Sequence, residues 1–168
     1  MLYHASKISG LKTLKPQIST HGKAYVYAVR NRITAVCFGA PKDDFDFLLD
    51  ERDGKTVLYE CYPDALKRVY SGKKCSLYTV PDEGFLQGQT GWDAEMVCES
   101  SVDVLQEQKI TDIYEYLICA AKQGECKINL YSDDEEYIAL LREELSERIN
   151  AFRLSKEQME QDWRFTRF

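Results

Sequence analysis

Histidine is scarce in this chain: there are two, His4 and His21. That leaves little room for metal chemistry built on imidazole, and no H-E-x-x-H pattern occurs. The six cysteines, at 37, 61, 75, 98, 119 and 126, never form C-x-x-C and do not stand at zinc-ligand spacings. Most lie in apolar surroundings and read as reduced core thiols. G-x-S-x-G, the P-loop and G-x-G-x-x-G are missing as well, which removes the nucleophile elbow and two phosphate cradles. No run of lysine and arginine stands out, and a net charge of −6 argues against tight, phosphate-driven binding of nucleic acid. No apolar run approaches the roughly 20 residues of a membrane helix, so no membrane partner is expected. The start, MLYHASKISG, lacks the long apolar core of a secretory signal. With the reduced thiols, this leads to the expectation of a cytoplasmic protein.

What is present is ordinary globular material. Apolar residues make up 44% of the 168 and charged residues 30%, enough for a domain that buries roughly two thirds of its unfolded surface. LYHAS reads as a first strand and KAYVYAV, residues 23 to 29, as a second, rich in β-branched and aromatic residues. Tyr25 and Tyr27 are two apart and share a face. NRITAVCFG has helical spacing with Gly39 as its stop. FDFLLD and KTVLYECY are strands joined through Asp53-Gly54, a hairpin signal. PDALKRVYSG reads as a short helix, CSLYTV as a strand and PDEGFLQGQTG as a long polar loop. AEMVCESSVDVLQEQKI has strand character, and an amphipathic helix begins near Thr111. In the tail, Ser132 with Glu135 resembles a capping box. Ile138, Leu141, Leu145, Ile149 and Phe152 then keep helical spacing over roughly 133 to 152, and the DWRFTRF end is expected to pack on the domain. Many short strands with few helices between them predict an α+β fold of antiparallel or mixed strands, a domain over 1–130 and a C-terminal helical extension over 131–168 packed on it.

Taken singly, the residues able to carry chemistry have plain readings. His4, beside Leu2 and Tyr3, reads as a hydrogen-bonded core residue. Tyr25 and Tyr27 read as an aromatic strand face, Glu95 as a solvated carboxylate at a strand edge, and Trp92 as a core anchor. Asp43-Asp44 and Asp133-Asp134 read as loop and cap charges. No local motif supports Cys–His catalysis.

In chain order, however, YHAS, HGKAYVYA and AEMVCESSVDV resemble the ADP-ribosyltransferase fold of diphtheria toxin and the poly(ADP-ribose) polymerases. That family carries a first-strand histidine in H-G-[ST], a later tyrosine in a strand such as GKGIYFA, and a late glutamate before a strand such as EYIVYD. His4-Ala5-Ser6, residues 22 to 28 and Glu95-Met96-Val97 match these in turn, with the resemblance covering about residues 2 to 120. It implies split sheets around NAD, used as a substrate. His4 would bond the adenine-side ribose, the Ala5 backbone the carboxamide, and Ser6 the nicotinamide-side ribose or amide. Tyr27, after a one-residue shift, would stack on the nicotinamide, with Tyr25 the alternative on the same face. Glu95 would stabilise the oxocarbenium-like state as nicotinamide leaves. Ala5 replaces the motif's glycine, and Asp93 stands where the arginine-modifying branch has a second glutamate. The RNA 2′-phosphotransferases, related to this family, use several arginines, and Arg30 and Arg32 are those near the motif here. The resemblance implies ADP-ribosyl transfer to an acceptor left open among protein, nucleic acid and small molecule. The alternatives are a catalytically silent NAD- or nucleotide-binding module and a protein-interaction domain. Oligomeric state is left open.

Overall fold

The computed structural model describes residues 1–18 and 22–164. His21 and the last four residues of DWRFTRF therefore lie outside the described residues. The first strand, β1 (Leu2–Ser6), is followed by two short pieces, β2 (Thr13–Leu14) and β3 (Gln17–Ile18), and then by β4 (Ala24–Val29) and α1 (Arg32–Cys37). Next come the hairpin β5 (Phe47–Arg52) and β6 (Lys55–Glu60), helix α2 (Ala65–Tyr70) and β7 (Cys75–Val80). The chain continues through β8 (Leu86–Gln87), β9 (Glu95–Cys98), β10 (Val102–Asp103) and β11 (Gln106–Ile110). It closes with α3 (Ile113–Lys122), β12 (Cys126–Asn129), α4 (Glu135–Phe152) and α5 (Lys156–Gln161).

Among the described residues the strands form three sheets. The largest runs β11-β7-β1-β4-β9-β8, all antiparallel, with β3 also on β4. A second sheet joins β2 to β10, and a third runs β12-β6-β5, where the β12–β6 pair is parallel. The protein is thus α+β, with antiparallel sheets, one parallel pair and short helices.

Strand alternation divides the large sheet into two faces. Leu2, Val26, Ala28, Tyr78, Val80 and Met96 build a core on one. On the other, Tyr3, Ala5, Val29 and Leu77 pack with α1 and α3 through residues such as Ile33, Val36, Ile113 and Leu117. The chain forms these helices for local reasons. Asn31 caps α1 by accepting from the backbone N–H of Ile33 at 2.8 Å, and Asp112 caps α3 by accepting from Glu115 N–H at 3.1 Å. The hairpin turn has Asp53 and Gly54 at φ 51° and 71°, the two positive angles that match the twist of its strands.

Two local expectations change. PDEGFLQGQTG is not wholly loop: Phe85 is buried and β8 pairs with β9, because even two residues can fill an open sheet edge. The helix α1 does stop just before Gly39, as its spacing predicts, and packing is what requires glycine at that position. A Cβ there would stand 2.6 Å from Cys75 Sγ, so a side chain would collide with β7. The cap of α4 is Asp134, which accepts from Tyr137 N–H at 2.8 Å. The Ser132 hydroxyl bonds Asp134 instead, since the first turn starts two residues later than the capping-box reading places it.

Helix α4 docks through Leu141 and Leu145, which join Leu48, Cys61, Tyr62 and Ala65 in a third core. Ile138 and Ile149 are half-buried and Phe152 is mostly exposed. The tail returns to the body at Trp163, whose ring meets Tyr62 at 4.9 Å, and at Arg164, which pairs with Asp43 at 2.7 Å and Asp46 at 3.1 Å. All six cysteines are free thiols and five are buried; Cys119 is exposed. Among the described residues, no helix is long and apolar enough to cross a membrane.

Candidate functional site

The strands that carry His4, Tyr25 with Tyr27, and Glu95 are β1, β4 and β9, three neighbours in the large sheet. Their registers fix the relation between them. Tyr3 stands opposite Val29, Val29 opposite Glu95, and Tyr27 opposite Val97. Among the described residues Tyr3–Val29 is the one paired position between β1 and β4. Further along, β4 takes β3 as its partner, with Tyr25 opposite Gln17 and Ala24 opposite Ile18. The sheet therefore opens between β1 and β4 beside His4.

The imidazole of His4 fills that opening. Its Nδ1 donates to the Tyr27 carbonyl at 2.7 Å, in place of a backbone ladder bond. A carbonyl only accepts, so Nδ1 carries the hydrogen and Nε2 of the neutral ring keeps its lone pair. Burial lowers the His4 pKa from its ordinary value, and the bond to Tyr27 opposes that in part. Tyr78, opposite His4 on β7, is buried and donates its hydroxyl to Ile8 O at 2.7 Å, which draws the 7–12 loop over this face. Glu107 adds a second tether by accepting from Gly10 N–H at 2.9 Å and Ser76 Oγ at 2.7 Å.

His4 and Ser6 alternate to the face of Leu2 and Tyr78. Ala5, Tyr25, Tyr27 and Glu95 alternate to the opposite face, with Tyr3 and Val29. Tyr25 is buried, and its ring meets that of Tyr27 edge-on at 5.9 Å. Lys23 lies over Tyr25 at 5.4 Å and is paired with Glu99. The structure thus brings the three strands together and joins His4 to the β4 backbone. It does not bring the His4 and Glu95 side chains to one face.

Two adjoining recesses open at the end of the sheet where β4 leaves and β9 enters. The larger, about 540 Å³, is bounded by Tyr3, the Arg30–Ile33 turn, the β5–β6 hairpin at Glu51 and Gly54, and Glu125. The smaller, about 380 Å³, runs from Arg30, Glu51 and Gly54 to Gln87, Trp92 and Asp93, with Ala94 and Met96, the neighbours of Glu95, in its wall. Asn31 fastens the hairpin to α1 by donating Nδ2 to Gly54 O at 3.0 Å. Arg32 is held by the Tyr116 hydroxyl at 2.9 Å and by an ion pair with Glu125. Arg30 is exposed and has no ion pair among the described residues. Trp92 packs on the core and meets Phe38 at 5.7 Å, in keeping with its reading as an anchor.

In the sequence Tyr3 reads only as a neighbour of His4, and Arg30 has no role in a site. The available signal was an arginine directly after a strand and before a helix cap, a turn that sheet topology turns outward at a strand end. Among the described residues, no group of three or more histidine, cysteine or carboxylate side chains is placed to hold a metal ion. Comparison of the chain with protein-family models, with curated proteins and with solved structures finds no match in any of the three.

Proposed function

We propose that the protein binds NAD and transfers ADP-ribose, with release of nicotinamide. The observation that carries this reading is the adjacency of three strands bearing His4, Tyr27 and Glu95, with the His4 ring set in the opening between the first two. The neutral His4 Nε2 is an acceptor suited to a ribose hydroxyl. Ala5 supplies backbone groups for the carboxamide and Ser6 a hydroxyl for the nicotinamide-side ribose or amide. Tyr27, or Tyr25 beside it, offers a ring to the nicotinamide. The bond that breaks joins the ribose C1′ to the nicotinamide nitrogen, which keeps the electron pair. The acceptor's lone pair forms the new bond at C1′, and the acceptor gives up its proton. Nicotinamide is a good leaving group, so the step needs positioning and a negative charge near the developing cation more than a strong nucleophile. Glu95 supplies that charge, and its interaction strengthens toward the transition state.

A second reading, a catalytically silent nucleotide-binding module, is favoured by one observation: His4 and Glu95 alternate to opposite faces of the sheet. The experiment that decides is NAD calorimetry together with nicotinamide release, on the wild type and on Glu95→Gln. The transferase reading expects binding and release, with release cut about 10²-fold or more in Glu95→Gln and affinity little changed. Binding without release leaves the silent module, and no binding leaves an interaction domain. His4→Ala should weaken NAD binding by about 1–3 kcal/mol, as a buried hydrogen-bonding group is lost.

A further inference from the structure

We infer that the groove centred on Arg30 receives the diphosphate of a nucleotide. This inference rests on the nucleotide-binding part of the reading above, and assigns the ligand's anionic middle to a side chain that reading does not use.

Arg30 lines both recesses, so it stands where they meet, with a ring on either side: Tyr3 in the larger and Trp92 in the smaller. A nucleotide has the same order of parts, with its charge between ring-bearing ends or beside one. The electrostatics single out Arg30 among its neighbours. Arg32 is occupied by Glu125 and Tyr116, and Arg52 by Asp50 at 2.7 Å. Of the two arginines that line the groove, Arg30 and Arg32, Arg30 is the one without a carboxylate at ion-pair distance among the described residues. Its planar fork suits two oxygens of a diphosphate, which a lysine would meet as a point charge. The pairing that occupies Arg32 and Arg52 also neutralises Glu125 and Asp50. Glu51 and Asp93 are left as the groove's unneutralised carboxylates, and a carboxylate beside a nucleotide is a natural acceptor for ribose hydroxyls. The walls are set before any ligand arrives, because Asn31 ties the hairpin to α1 and Arg32 ties α1 to the α3–β12 turn. Little ordering is then left for binding to supply.

The test uses the full chain and two probes, ADP and NAD, titrated by calorimetry at low salt into the wild type, Arg30→Ala and Arg30→Lys. Arg30 is exposed, so both variants should fold, and their melting temperatures check this. Both probes should bind the wild type, at least tenfold more weakly to Arg30→Ala and to an intermediate degree to Arg30→Lys, with affinity falling as salt rises. Each should change the fluorescence of Trp92, an effect lost in Trp92→Phe, while Trp163 remains as an internal control. Equal NAD affinity in the wild type and Arg30→Ala overturns this inference and leaves the NAD reading standing. ADP binding that depends on Arg30, with no NAD bound, upholds the diphosphate site and ends the ADP-ribosyl transfer reading. Failure of both probes to bind the wild type overturns both.

Discussion

At the scale of single residues, His4 is held in one tautomer by its surroundings. Its bond to the Tyr27 carbonyl at 2.7 Å requires hydrogen on Nδ1, and its partial burial disfavours the charged ring. It should therefore titrate below the ordinary value of 6.5. Proton NMR of the two histidines, assigned with His4→Gln, checks this; a His4 midpoint above that of a free imidazole would show that the charged form is the one held. That His4 sits on a strand was legible from its apolar neighbours. What its ring touches was not, because the partner is a backbone carbonyl 23 positions away, and a backbone group leaves no mark in the sequence. The Tyr25–Tyr27 pair was legible for the opposite reason, since alternation alone puts both on one side. Glu95 was found as a strand entry. Its face relative to His4 depends on a register through β4 that local pattern does not carry.

Elements were readable where local chemistry dictates them. Asp53-Gly54 gave the hairpin, and the 3.6-residue spacing gave α3 and α4. The short strands β3 and β8 pair with the longer β4 and β9, and β2 pairs with the equally short β10, so nothing in two residues announces them. Helix α4 has its stripe where the spacing puts it, and the deepest points are Leu141 and Leu145, at 0% and 2% exposure. Leu141→Asp removes that apolar contact and introduces a charge into the third core. The loss should be at least the about 2–5 kcal/mol of a buried leucine truncation, a fall in melting temperature of roughly 4–20 °C for a chain of this size. An unchanged melt would mean that α4 is not docked in solution. The α1–β7 contact gives a second test. Gly39→Ala puts a methyl group 2.6 Å from Cys75 Sγ and 2.7 Å from Cys75 Cβ, and overpacking of this kind costs about 1–3 kcal/mol. Pairing it with Cys75→Ala removes the Sγ, and recovery of part of the loss would trace the cost to that contact.

For the whole molecule, the seams between elements are held by carboxylates, and this sets how the fold responds to acid. Glu107 ties the 7–12 loop to the sheet, through Ser76 and Gly10 N–H, and Asp112 joins the end of α2 to the start of α3, through Glu115 N–H and Gly72 N–H. Asp134 caps α4, and Asp162 holds Arg164 in the tail. The pKa of each is lowered by the hydrogen bonds its ionised form accepts. In the window between the lowered folded value and the ordinary value of 3.8 or 4.5, the unfolded chain binds protons that the fold refuses. Their stabilisation is thus complete above about pH 4.5 and is lost as pH falls through the folded values. His4 acts in the same direction at a higher pH, with stability lost as pH falls below 6.5. Glu60 opposes both. Its buried carboxylate accepts from Leu66 N–H at 2.9 Å and Tyr131 N–H at 3.2 Å, yet burial raises its pKa above 4.5. Acidification through that raised value is a gain for the fold, which takes up the proton first. On acidification His4 and Glu60 therefore act in opposite directions, and the melting temperature should fall from pH 4 to 3 as the four carboxylates are protonated. Glu60→Gln removes the opposing gain, so its melting temperature should fall more on acidification than that of the wild type, and adding His4→Gln should remove the part of that fall that His4 contributes below pH 6.5. Calorimetric melts of the three proteins at pH 7, 5.5, 4 and 3 test the scheme. A wild type that grows more stable below pH 4 would show that the four seam carboxylates are not held ionised in the fold.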